Sequence, residues 1–300
     1  MGLDHTIALG YGHNLAEPRF SLIDSDRRHY IMKEFLGIGG YTREPEGYLS
    51  PEHLIFTISL VLFTLALAIV LGIRNKNAND KKKNIPLICA ALLMDAVEIF
   101  KIVAMIYRSD EPATAWHNLL PLFLCSIQLI TIPLAAFAKG RLREAALDFV
   151  LIFGMLGGIL GTVGAGQNYN AYPVLSLDNV ASGLTHCTSA FASLYIGLSG
   201  LASLKKKNTW ITFAILGFFC IAAFTANMAL DTNYMFLRAG DGTPYDVLYN
   251  LVGGNQILYP LGVIALFLLY IVAFYGVFFM ILRKRASKQV VQTSEVPAEV

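Results

Sequence analysis

Long apolar runs alternate with short polar linkers along most of the chain. Seven such runs lie at roughly 53–73, 85–107, 119–138, 145–165, 179–203, 210–230 and 251–282. Each is near the ~20 residues an α-helix needs to cross a bilayer. The last is the longest and holds Pro260, which predicts a tilt or a kink. The pattern predicts an all-α fold, a polytopic membrane bundle of about seven transmembrane helices filling residues 51–285. Ahead of it, residues 1–50 are polar, with Gly39, Gly40 and Pro45 as breakers, and Arg27 to Gly37 suit a short interfacial helix. Behind it, residues 286–300 read as a disordered cytoplasmic tail.

Composition agrees with a membrane protein. The chain is 55% hydrophobic and 15% charged, with mean hydropathy +0.56. A soluble domain carries about 25% charged residues. The net charge of +2 gives no reason to expect nucleic acid as a partner. Where the charges lie is more informative. The linkers at 74–84, 139–144 and 204–209, with the tail from Arg283, hold 15 of the 23 Lys and Arg. The intervening linkers hold only Arg108 and Arg238. Positive charge marks the cytoplasmic side. The N-terminus, including the extracytoplasmic 1–50 segment, is therefore expected outside and the C-terminus inside, in the cell membrane.

Polar residues inside the apolar runs are the candidate chemistry, because lipid penalises them. Span two carries Asp95, Glu98 and Lys101. Glu98 and Lys101 are three apart and can pair on one helix, which leaves Asp95 unpartnered. Span three carries Cys125 and Gln128, also three apart and so expected on one helix face. Span five carries Ser182, His186, Ser189 and Ser193, a polar stripe at helical spacing. Cys125 lies ~9 Å and His186 ~10 Å from the outer starts of their spans, counting 1.5 Å per residue. Asn227, Asn233 and Asn255 lie near the outer ends of spans six and seven, and His53 at the mouth of span one. Together these predict a polar pocket open to the outside. Span four holds Gly154, Gly157, Gly158 and Gly161, spacing that lets a neighbouring helix approach closely. Cys89, Cys125, Cys187 and Cys220 all sit in apolar runs, with neither a disulfide framework nor zinc spacing.

A thiol in lipid needs a base to take its proton before it can act as a nucleophile. His186 is the only histidine deep inside a span, at a depth matching Cys125. A packed cysteine beside a structural histidine fits the same residues.

Leu120-Pro121-Leu122-Phe123-Leu124-Cys125-Ser126-Ile127 resembles the L-P-L-x-x-C signature of the YwaF family of bacterial membrane proteins. Asn233-Tyr234-Met235-Phe236-Leu237 resembles that family's N-Y-M-x-L signature. Glu52-His53 and Tyr259-Pro260 fall where the family has similar pairs. The resemblance covers about residues 50–282. Phe123 stands where the family often has histidine, so no role passes to that position. The family is similar to a eukaryotic transmembrane acyltransferase that remodels ether phospholipids, and more distantly to androgen-induced transmembrane threonine hydrolases. The resemblance implies that Cys125 carries an acyl group and that His186 assists. The expected function is cysteine-dependent acyl transfer or hydrolysis on a phospholipid or lysophospholipid. Asp95, Glu98, Lys101, Gln128, Asn227, Asn233, Asn255 and His53 would support that pocket. The chemistry calls for no cofactor and no metal. The alternative is a non-enzymatic carrier or lipid-binding receptor built on the same polar residues.

Overall fold

The computed structural model describes residues 20–163, 165–202 and 204–294, and every regular element among them is a helix. Helix α1 (Phe20–Leu36) precedes an irregular stretch that leads into α2 (Pro51–Asn75). α2 starts where Ser50 accepts the His53 backbone N–H, with Pro51 in the first turn. α3 (Asp80–Arg108) is capped by Asn79, which accepts the Lys82 N–H. Then come the short α4 (Pro112–Ala115), α5 (Gln128–Phe137), α6 (Gly140–Val163) and α7 (Gly166–Ala171). α8 (Leu177–Ser199) is capped by Ser176 and ends at Gly200, whose φ of 72° closes the helix. α9 (Thr209–Leu230), α10 (Tyr245–Leu251) and α11 (Leu258–Ser294) complete the chain. α11 runs through Ser294, so 286–294 are helical where the sequence predicted disorder; 295–300 and the first 19 residues lie outside the described residues.

α8 is the central helix. It packs against α6 on one side and α2 and α3 on the other, with α5 wedged between α3 and α6. A second apolar core joins α6 to α9 and α11 through Phe149, Phe153, Phe219, Tyr259 and Phe267. The glycine stripe of α6 does what its spacing predicted. A Cβ on Gly158 would overlap Ala190 of α8, and one on Gly154 would crowd Ser189 and Ser193. Ser189 Oγ donates to the Gly154 carbonyl (3.1 Å) and Ser193 Oγ to the Leu151 carbonyl (2.7 Å). The inner half of the α8 stripe is thus bonded to α6 rather than lining a wet cavity.

The basic linkers gather at one end. Arg141 Nη2 donates to the Lys207 carbonyl, Arg143 Nη2 to Asn84 Oδ1, and Lys205 Nζ to Glu144 Oε1. Arg108, Asp178 and the 231–257 stretch lie at the other end, with the N-terminal segment docked there through Tyr41.

Among the described residues, four stretches are long and apolar enough to cross a membrane: Pro51–Asn75, Gly140–Ala171, Lys206–Leu230 and Leu258–Val277. The sequence predicted seven. α3 has the length, at 29 residues, but carries Asp95, Glu98 and Lys101. α8 carries the polar stripe. The third predicted span is broken and keeps only the 10-residue α5.

Candidate functional site

That break is where the site begins. Residues 119–127 are not helical, so Cys125 lies in a turn ahead of α5 and does not share a helix face with Gln128. Tertiary contacts hold the stretch open. The Tyr234 hydroxyl accepts the Leu120 N–H (2.9 Å) and donates to the His117 carbonyl (2.5 Å). The Phe123 ring packs edge-on against Tyr234 and tilts against Phe236. Two motifs more than a hundred residues apart therefore form one wall. Irregular backbone at membrane depth is tolerated where protein buries it or where it lines a cavity. The Ser126 hydroxyl lies 4.0 Å from the Cys125 thiol.

His186 reaches the same place from α8. A Cβ on Gly157 would touch Cys125 Cα and Cβ at 3.4 and 3.5 Å, and a Cβ on Gly161 would overlap the His186 imidazole. The imidazole also meets the Gly157 backbone. Gly157 and Gly161 are one helical turn apart, ~6 Å along the axis. Cys125 Cα and Cβ and the His186 imidazole thus lie against the same bare strip of α6, one turn apart along it. Both line a cavity of about 480 Å³ that also takes in Ser182, Met235, Phe236 and Tyr245.

α3 and α8 are antiparallel. Arg108–Asp178 fixes one end at 2.5 Å, and the Tyr195 hydroxyl donating to the Lys83 carbonyl fixes the other at 2.7 Å. Counting inward from Arg108–Asp178, Lys101 lies ~10 Å and His186 ~12 Å deep. Lys101 pairs with Glu98 at 2.7 Å. Asp95 has a buried Oδ1 with no hydrogen-bond partner among the described residues.

The other candidates do not line this cavity. Gln128 is fully buried; its Oε1 accepts from Thr131, and its Nε2 has no partner among the described residues. Asn227 accepts the Tyr234 N–H and donates to the Tyr234 carbonyl, so it shapes the motif rather than facing a substrate. Asn233 bonds the Ala239 carbonyl, Asp241 and the Arg238 N–H within the outer stretch. Asn255 accepts the Ile257 and Leu258 N–H groups at the start of α11. His53 is held between Tyr48 and Tyr169, with Nδ1 accepting the Leu49 N–H. Each is a local tie, and the single wide polar pocket the sequence predicted resolves into separate pieces.

The motif at 233–237 was marked in the sequence, but its backbone was not: Met235 and Phe236 both have positive φ, 55° and 54°, an uncommon and strained conformation for side chains of this size. They turn the N-Y-M segment into the cavity wall. The buried Arg108–Asp178 pair is completed by Tyr41, whose hydroxyl donates to Asp178 Oδ2 (2.5 Å). Burial, and then the bond to Asp178, pushes the Tyr41 phenol up to about 12. Among the described residues no group of three His, Cys, Asp or Glu comes together as a metal site requires.

Residues 48–282 match the TMEM164 family. No curated protein and no solved structure matches the chain.

Proposed function

We propose, from the premise that this chain belongs to the TMEM164 family, that it is a membrane-embedded, thiol-dependent acyltransferase or hydrolase acting on lipid esters. The observation that carries this is that Cys125 and His186 meet α6 one turn apart, at Gly157 and Gly161, and line one cavity. His186 accepts the Cys125 proton as the sulfur attacks an ester carbonyl. The C–O bond breaks, the acyl group becomes a thioester, and His186 returns the proton to the departing lysolipid oxygen. A second lysolipid hydroxyl, or water, then gives its proton to His186 and attacks the thioester; the proton ends on the thiol. The Ser126 hydroxyl, 4.0 Å from Sγ, would be the nearest donor to the thiolate. Lys101 would offset the negative charge that develops on sulfur and oxyanion. In this proposal the end bearing the basic linkers is cytoplasmic and the N-terminus lies outside.

The test is hydroxylamine-sensitive acylation of the protein and acyl exchange between lipids in proteoliposomes. Cys125→Ala should abolish acylation, and Cys125→Ser should nearly do so. His186→Ala should slow it by roughly 10²–10⁴-fold, the usual contribution of a general base. Cys187→Ala should be tolerated, since Cys187 lines a separate groove between α2, α3 and α8. Full activity in Cys125→Ala with loss in Cys187→Ala would move the chemistry to the other thiol. A second function, as a carrier, is favoured by the unpartnered Asp95 carboxylate oxygen, which suits a site that binds and releases a proton. A wild type that never carries an acyl group, together with uptake lost in Asp95→Asn, would establish the carrier instead.

A further inference from the structure

We infer that lipid reaches Cys125 sideways from the bilayer, past Leu160 of α6, while Gln167 holds the aqueous mouth of the same cavity shut. Leu160 lines the cavity and is 57% exposed. It is next to Gly161, under the imidazole, and three residues from Gly157, under Cys125. The opening is therefore level with the reacting groups. Exposed Ile159 continues the apolar surface outward from it. The mouth at the Arg108 end is different. There the Gln167 side chain of α7 donates to the Asp241 carbonyl (3.1 Å), joining two sides of the rim. A Cβ on Gly242 would meet the same amide nitrogen at 3.2 Å, so the rim is closely fitted.

The lining gives the chemical class. It contains no Lys, Arg, Asp or Glu. The portion that enters is uncharged, an acyl chain with its ester carbonyl, and any charged headgroup stays outside. Depth agrees. The headgroup zone is about 5–8 Å thick on each side of a hydrocarbon core of about 30 Å. A site ~12 Å in from the end of the bundle lies within a few ångströms of where glycerolipid ester carbonyls reside. The ligand is thus a glycerolipid ester dissolved in that leaflet. Its status as a substrate rests on the function proposed above; the route itself can be tested without turnover.

The experiment uses the full chain in phosphatidylcholine vesicles, with Cys125 as the sole cysteine after Cys89→Ala, Cys187→Ala and Cys220→Ala. Two probes report access: a maleimide on a long alkyl chain dissolved in the bilayer, and a small charged methanethiosulfonate in the water. Leu160→Trp should slow the alkyl probe about tenfold and leave the charged one unchanged. Leu160→Phe, with less added bulk, should shift the alkyl rate in the same direction. Gln167→Ala should speed the charged probe several-fold and leave the alkyl one unchanged. Ile159→Trp, beside the opening but outside the lining, should change neither. Parental alkyl labelling in both Leu160 variants, or equal slowing of both probes, would overturn the route. Labelling as expected in a protein that never forms an acyl-enzyme keeps the route and removes the thioester. An acyl-enzyme with labelling indifferent to Leu160 does the reverse.

Discussion

Gly161→Ala is the sharpest single perturbation of the site, because one carbon is added where the imidazole lies. The new Cβ would overlap the ring of His186. Carbon atoms rest at about 3.5–4.0 Å, so the ring must withdraw by more than about 1 Å. A 1 Å misplacement of a catalytic group costs about 10²-fold in rate. Stability changes much less. Overpacking costs about 1–3 kcal/mol, and alanine in a helix interior returns about 1 kcal/mol relative to glycine. The net loss is at most about 2 kcal/mol, so the variant should fold and insert. Gly217→Ala in α9 and Gly276→Ala in α11 are the controls, since a Cβ there meets nothing within 4 Å. Both should keep parental acylation and gain up to about 1 kcal/mol. The measurements are the acyl-enzyme formation rate in proteoliposomes and thermal aggregation followed by size exclusion. If Gly161→Ala forms acyl-enzyme at the rate of the controls, the imidazole is not seated on α6 in the working protein. The Cys125–His186 pair then loses its geometric support.

Tyr234→Phe removes the hydroxyl that joins the His117 carbonyl to the Leu120 N–H. It should cost about 1–3 kcal/mol and lower acylation, read by thermal stability and labelling; parental values for both would mean the motif wall holds without it. Tyr41 predicts an alkaline transition in the N-terminal segment. Its phenol pKa is raised from 10.0 to about 12 in the folded state, so its contribution is complete below pH 10 and is lost as pH rises through about 12. Proteolysis of the segment should accelerate across that window, whereas Tyr41→Phe should be loosened already at pH 7 and show no alkaline step; a wild-type segment equally protected at pH 9 and 12 would exclude the coupling.

Much of this molecule could be read from residue spacing, up to the point where backbone geometry took over. The Glu98–Lys101 pair and the unpartnered Asp95 follow from i,i+3 geometry alone. The glycine stripe of α6 was equally legible, because only small residues permit that approach to α8. The break at 119–127 was not. Its residues are as apolar as a span, and Pro121 is acceptable in the first turn of a helix, so nothing local forbids helix there. What prevents it is Tyr234, from a segment far along the chain. The amides were misassigned for a related reason. Asn227 looks like a pocket residue until the positive φ of Met235 and Phe236 places the Tyr234 backbone against it. The depth of His186 could be counted along α8, but the count for Cys125 assumed a helix that the break at 119–127 removes, and their shared floor required the α6–α8 contact.

The division between four strongly apolar helices and the more polar or shorter α3, α5 and α8 also bears on how the protein would enter a membrane during synthesis. α2, α6, α9 and α11 hold the stretches that can partition into lipid on their own. A lone α3 cannot do so easily, because each Asp or Lys at the centre of a helix costs about 2.5–3.5 kcal/mol to insert. Its Glu98–Lys101 pair reduces that penalty, while Arg108 lacks its carboxylate partner until Asp178 has been made. Those two residues are 70 positions apart, a delay of about 4–14 s at ordinary translation rates. α5, at 10 residues, must likewise be held by its neighbours. If α3, α5 and α8 also lie in the bilayer, as the seven-span reading proposes, insertion would be completed backwards: α8 would arrive late and draw α3 and α5 in against α6. Weakening the α6–α8 contact would strand earlier helices and be recorded as wrong topology in the cell, even where the finished bundle could tolerate the change.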